Sequence, residues 1–120
     1  MVVMLMQFQL CVIDDGVGLA TPEEMEAISA FNERMADAGQ RVLAGGLASP
    51  SESIMVDHRG DSPIVTQESL MPELPCYAGF WVVDVSDFET VRQLSIEASR
   101  ACNRRIEIRR FLTREDIDSA

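Results

Sequence analysis

Phe80, Trp81, Val82 and Val83 stand side by side in the middle of residues 77–85. Neighbouring side chains of a strand point to opposite faces, so a strand that is apolar at every position needs cover on both sides. This segment is therefore expected to be the central strand of a sheet. Helices can cover one face, and a second subunit is the economical cover for the other. A chain of 120 residues, 47% of them hydrophobic, has the material for one core and one domain. A domain of this size leaves much of its surface exposed, which adds to the case for a homodimer.

Two helix starts flank the strands. Thr21-Pro22-Glu23-Glu24 combines a cap, a proline at the first helical position and a glutamate three residues after the cap. The Thr21 hydroxyl can take the Glu24 amide while the Glu24 side chain reaches back. Met25, Ile28, Phe31 and Met35 follow at helical spacing as one apolar stripe, the signature of a core face. Gly39 tolerates the left-handed conformation that ends a helix. Ser86-Asp87-Phe88-Glu89 reads as a second capping box, and Phe88, Val91, Leu94 and Ala98 form the stripe of a helix ending near Asn103.

Strands fill the intervals. Residues 2–13 read as the first, with Phe8, Leu10 and Val12 alternating with Gln7, Gln9 and Cys11. Residues 41–47 are the second, with Gly45 and Gly46 marking a bulge or a close backbone approach. Residues 53–57 and 62–67 pair as a small hairpin around Arg59-Gly60, and residues 68–75, with two prolines, are loop. Residues 105–111 close the sheet, Ile106 and Ile108 on one face, Glu107 and Arg109 on the other. The order predicts an α+β, ferredoxin-like βαβ-βαβ fold with an inserted β-hairpin and both helices on one face. One domain over residues 1–112 and a polar tail over 113–120 are expected. Two open sheet faces brought together would enclose a dimeric α/β-barrel whose interior, carrying Gln7, Gln9, Glu107 and Arg109, is the expected place for a small organic ligand.

Charge and cysteine usage narrow the function. Twenty acidic against ten basic residues give a net charge of −10, which repels nucleic acid and anionic membranes alike. The one basic cluster, Arg104, Arg105, Arg109, Arg110 and Arg114, interleaves with Glu107, Glu115 and Asp116. It either grips a ligand carboxylate or phosphate or forms a salt-bridged, solvated strand, the plainer reading. Cys11, Cys76 and Cys102 are odd in number and widely spaced, so neither a disulfide framework nor a zinc site is expected. The N-terminal residues lack the positive start and cleavage pattern of a signal peptide, and no run approaches the ~18 apolar residues of a membrane span. A soluble, cytoplasmic protein is expected.

No serine–histidine–acid set, phosphate loop or metal cluster stands out, so no cofactor or metal is expected. His58, the only histidine, follows Asp57 and has the chemistry of a proton shuttle, but its place at a hairpin tip favours an exposed turn residue. Asp84, at the end of the central strand, is the candidate catalytic base if burial raises its pKa; its plainer reading is support of the following turn. Arg109 with Glu107 is the best polar pair on the open face, either anchoring an acidic ligand or bridging two subunits. Gln7 and Gln9 hydrogen-bond a ligand or each other across the dimer axis. Tyr77 and Trp81 are candidate cavity walls, with the core as the other reading of Trp81.

Several short stretches, in order, resemble the YCII-related family, particularly its DGPF-domain branch, over nearly the whole chain. They are a first strand opening at Met4, the Thr21-Pro22-Glu23-Glu24 helix start, Gly45-Gly46-Leu47, and Val65-Thr66 after the hairpin. Gly79-Phe80-Trp81-Val82-Val83-Asp84-Val85 is close to the family's GGFYVIDV strand, and Glu107-Ile108-Arg109 to its final EVRP strand. The resemblance implies a dimeric α/β-barrel, and for some members an association with extracytoplasmic-function sigma factors. The chain departs from the pattern at its most distinctive point. Gln67-Glu68-Ser69-Leu70 replaces Asp-Gly-Pro-Phe, Pro72-Glu73-Leu74-Pro75 replaces the glutamate, threonine, lysine and glutamate that follow, and the first helix carries no histidine around Phe31. A divergent binding protein or a lapsed enzyme fits these departures. Binding of a small organic molecule in the dimer, with or without cofactor-free isomerisation or lactone chemistry in which Arg109 anchors and Asp84 moves a proton, is the leading expectation. An accessory protein acting through protein contacts is the alternative.

Overall fold

In the computed structural model, which describes residues 4–120, the chain runs through β1 (Met6–Asp14), α1 (Pro22–Asp37), β2 (Arg41–Gly46), β3 (Met55–Asp57), β4 (Ile64–Thr66), β5 (Cys76–Val85), α2 (Phe88–Cys102), β6 (Arg105–Arg110) and α3 (Arg114–Asp118). Residues 2 and 3 of the first expected strand lie outside the described residues; residues 4 and 5 are not strand, and β1 starts at Met6. Four strands form one sheet in the order β2-β5-β1-β6, antiparallel at every pairing, and β3 and β4 form a separate hairpin. This is an α+β architecture.

The helix ends follow their local chemistry. Thr21 caps α1: its hydroxyl accepts from the Glu24 amide at 3.1 Å and Glu24 accepts from the Thr21 amide at 2.9 Å. At the other end the Gln40 amide donates to Met35 O and the Gly39 amide to Ala36 O, with Gly39 at φ 71°. That pair of bonds is a Schellman closure, which needs a residue free to turn left-handed. In α2 the cap lies one residue later than the Ser86 box predicts. Asp87 accepts from the Thr90 amide at 2.7 Å, and Glu89 turns along the helix toward Arg92 and Gln93. A carboxylate at this position satisfies the free amide and places negative charge at the positive end of the helix, which a serine does not. Asn103 ends α2 at φ 54°.

Strand parity sorts the sheet into two faces. Leu10 pairs with Trp81 and with Ile108, and Phe8 with Val83. These residues, with Val12 and Val85, lie on the helix side, packed with Phe31 and Met35 of α1 and Val91, Leu94, Ala98 and Cys102 of α2. The opposite face carries Gln7, Gln9 and Cys11 from β1, their partners Asp84, Val82 and Phe80 from β5, and Glu107 and Arg109 from β6. Trp81 therefore does not line the open face. It is a core residue on the helix side, its ring edge-on to Phe31 with centroids 5.4 Å apart. Its indole Nε1–H donates to Asn32 Oδ1 at 2.6 Å, the partner that a buried indole requires.

Gly45 and Gly46 mark a close approach, as their sequence predicts. Gly46 pairs with Gly79, and a Cβ on Gly79 would stand 2.7 Å from the Gly45 carbonyl oxygen. The neighbour is backbone in a paired strand, so it has little room to yield. Gly79→Ala is expected to lose about 1–3 kcal/mol through strain of this kind, read as a lower urea midpoint at unchanged slope.

Two features lie outside the main layers. The polar tail contains α3, whose cap repeats the α1 device: Thr113 Oγ1 accepts from the Asp116 amide, and the Asp116 carboxylate accepts from the Thr113 amide and from Arg110 at 2.6 Å. The Arg110 guanidinium, then the Thr113 amide, hold the Asp116 carboxyl far below the usual carboxylate range. The β3–β4 hairpin leaves Val56 and Val65, a cross-strand pair, exposed. The radius of gyration, 16.8 Å, exceeds the value of about 14 Å expected for a compact chain of this length.

Candidate functional site

The open face gathers four of the residues singled out for a ligand, and each already has a neighbour. Gln7 Nε2 donates to Asp84 Oδ1 at 3.1 Å, and Gln9 Nε2 to Cys11 Sγ at 3.3 Å. The Tyr77 hydroxyl donates to Glu107 Oε2 at 2.7 Å, and Arg109 Nη1 lies 3.9 Å from the same carboxylate oxygen. Glu107 holds the Tyr77 proton and raises its pKa. A shallow depression of 270 Å³ opens here, bordered by Gln9, Cys11, Tyr77, Arg109, Arg110 and Phe111. Exposed ion pairs such as Arg109–Glu107 add little stability. The face is a knit of short polar links around apolar Val82 and Phe80, with exposed Leu43 beside Val82 on the edge strand.

Asp84 belongs to this face. Its carboxylate accepts the Gln7 amide and its backbone amide donates to Gln40 O at 2.8 Å. The cap of α2 is Asp87. His58 is exposed beyond the end of β3, and the Asp57 carboxylate beside it is taken by Arg59, which bridges both oxygens at 2.9 and 2.8 Å. Asp57 therefore does not orient the imidazole.

The basic cluster is salt-bridged throughout. Arg105 pairs with Asp15, Arg109 with Glu107, Arg110 with Asp116 and Arg114 with Asp118. Arg104 stands apart because it is buried. Its guanidinium donates to Gly18 O and Cys102 O, each at 2.6 Å, and meets Glu24 at 3.4 Å. It ties the loop after β1 to the first turn of α1 and to the end of α2.

A larger concavity lies on the other side of the sheet. A cleft of 770 Å³ opens between α1, β2 with the segment that follows it, and the first half of β5. Met25, Ile28, Ala44, Leu47 and Trp81 supply apolar wall, and Asn32 and Arg41 supply polar groups. Its one carboxylate, Asp14, is already occupied, its Oδ1 accepting the amides of Gly16, Val17 and Gly18. Those amides, Gly16 first, hold the Asp14 carboxyl below its ordinary pKa against the opposing effect of desolvation. Cys102, also in the lining, has its thiol pKa pushed up by burial. The sequence carries one trace of the cleft: the α1 stripe runs a turn further than the core does, and Met25 is left half exposed over the opening.

Among the described residues no three His, Cys, Asp or Glu side chains gather as a metal-holding group, and no helix is long and apolar enough to cross a membrane. No protein-family model matches the chain, and no curated protein matches it.

Proposed function

We propose that this chain is a small-molecule-binding protein of the YCII-related, DGPF-domain type, a ferredoxin-like domain that works as a homodimer. The open sheet faces of two copies meet as a dimeric α/β-barrel, and each copy holds its ligand in the cleft beside Trp81. The observation that carries the reading is the cleft itself. Its volume lies within the range of small-molecule sites, its walls are mainly apolar, and a few polar groups converge on it. The strand order supports the ferredoxin-like part, since β1-α1-β2 and β5-α2-β6 interlock with each strand pair split by a strand of the other half.

The open face suits an interface better than a ligand. Gln7, Gln9, Glu107 and Arg109 are already bonded locally, and exposed Leu43 beside buried Val82 gains from a facing copy. Asp84 and Arg109, on the open face, belong to the interior of that interface. Binding without turnover fits the cleft, whose one carboxylate is held by backbone amides. A reducing, cytoplasmic setting suits three free thiols.

Native mass spectrometry tests both halves. A mass of two chains plus a small-molecule excess is the expected result. Leu43→Glu, an exposed substitution on the open face, is expected to yield monomers with unchanged helix content. A wild-type chain that stays monomeric at micromolar concentration removes the barrel.

One observation favours a second reading, that of an accessory or regulatory protein acting through protein contacts. The β3–β4 hairpin exposes Ile54, Val56, Ile64 and Val65, and strands of three residues do not sustain a hairpin unaided. Under this reading Val56→Lys abolishes partner capture and leaves ligand content unchanged.

A further inference from the structure

We infer that the cleft takes an apolar organic acid, whose carboxylate meets Arg41 and Asn32 while its body lies along Met25, Ile28 and Trp81. The inference rests on the cleft reading above and adds the chemical class of its ligand.

The charge of the lining is the first argument. The chain carries −10 overall, yet the charged residues that line the cleft are two arginines, Arg41 and Arg104, and one aspartate, Asp14. Glu24 balances Arg104, so Arg41 is the one cation of the lining without a carboxylate partner among the described residues, and an anion can neutralise it there. Asp14 is fixed toward its own loop by three backbone amides on Oδ1, so it offers a cationic ligand at most Oδ2.

The state of each donor is the second. Arg104 is buried and fully engaged with Gly18 O, Cys102 O and Glu24. Arg41, at the start of β2, has no ion-pair or side-chain hydrogen-bond partner among the described residues. It is exposed, so a ligand can reach it. Asn32 is oriented by the Trp81 indole, which donates to its Oδ1. The amide nitrogen, with two donors, is then left without a partner among the described residues. A guanidinium and an amide NH₂ lining one cleft form a donor pair suited to a carboxylate.

The walls are the third. With one free cation and mainly apolar lining, a polyphosphate or a sugar would bury polar groups that find no partner here. A single anionic head on an apolar body satisfies both halves of the site.

The test is calorimetric titration of the full-length protein with decanoate, decanol and decyltrimethylammonium. These share one apolar body and differ in charge. Decanoate is expected to bind once per chain and more tightly than the other two. Arg41→Gln is expected to weaken decanoate on the order of tenfold or more, as loss of a charge-assisted bond does, and to leave decanol unchanged. Asn32→Asp keeps an acceptor for Trp81 but removes the donors, so decanoate weakens and the cation gains. Ala48→Trp, at an exposed position in the lining, fills the cleft and is expected to remove binding. If decanol binds as well as decanoate and Arg41→Gln changes neither, while Ala48→Trp still removes both, the acid is the wrong ligand class and the cleft stands. If decanoate binds the Ala48→Trp protein undiminished, the cleft reading itself is wrong. Failure of all three probes to bind overturns the apolar-acid assignment.

Discussion

Replacing Arg104 with alanine is expected to remove about 3 kcal/mol or more of stability, a large share of the roughly 5–15 kcal/mol that holds a domain of this size. The guanidinium is 5% exposed and serves three acceptors from three places in the chain. Its removal strands the carbonyls of Gly18 and Cys102, each at about 1–3 kcal/mol if water does not reach them. It also takes the countercharge from Glu24, whose side chain is 19% exposed and recovers only part of its hydration. Urea unfolding measures the loss, and a change within 1 kcal/mol of wild type would mean that water replaces the arginine. Glu24→Gln is expected to do less harm, because the amide oxygen still accepts from the Thr21 amide. Acid tests the same junction. The Thr21 amide, and with it Arg104, holds the Glu24 carboxyl below its ordinary value. The stability this contributes is complete above the ordinary glutamate pKa and declines as pH falls through the depressed one. The Glu24→Gln variant is expected to lose that part of the acid dependence.

Phe31→Ala is expected to cost about 3–5 kcal/mol, the range for deleting a buried aromatic ring. Phe31 is 1% exposed and faces the edge of Trp81, so its loss leaves a void between α1 and the central strand. Phe31→Leu refills most of that void, and roughly 1 kcal/mol is expected for it. Fluorescence gives a second readout, because Trp81 is the only tryptophan in the chain. With Phe31 gone the indole loses its edge contact and its hold on Asn32 loosens, so emission moves to longer wavelength before any unfolding. Unchanged emission with unchanged stability would show that α1 closes over the gap. The variant also reaches the cleft, since Trp81 and Asn32 both line it.

What could be read from the residues in order was whatever depends on neighbours in the chain. Thr21, Pro22 and Glu24 specify a helix start by their own hydrogen bonds, and Gly39 and Asn103 specify ends by the left-handed turn they accept. The alternation of Phe8, Leu10 and Val12 with Gln7, Gln9 and Cys11 assigns the faces of β1, because only one of the two sets is apolar. The interleaved arginines and acids near the C-terminus predict the Arg109–Glu107 and Arg110–Asp116 pairs, whereas Arg105 finds Asp15 in the loop after β1. The same reasoning has no purchase on Trp81. In a run that is apolar at every position, parity does not say which side is which, and only the pairing of Trp81 with Leu10 places it among the helices. Ser86 and Asp87 are both good caps, and the position at which Phe88 begins to turn selects between them. The helix after Thr113 buries no apolar stripe, so periodicity is silent there; its capping box is held by an arginine from β6. Arg104 counts as one of five arginines in sequence and becomes a buried tie only where Gly18, Glu24 and Cys102 converge. The cleft is the extreme case. Its walls come from α1, β2 and β5, and no local preference encodes the space that three packed elements leave between them.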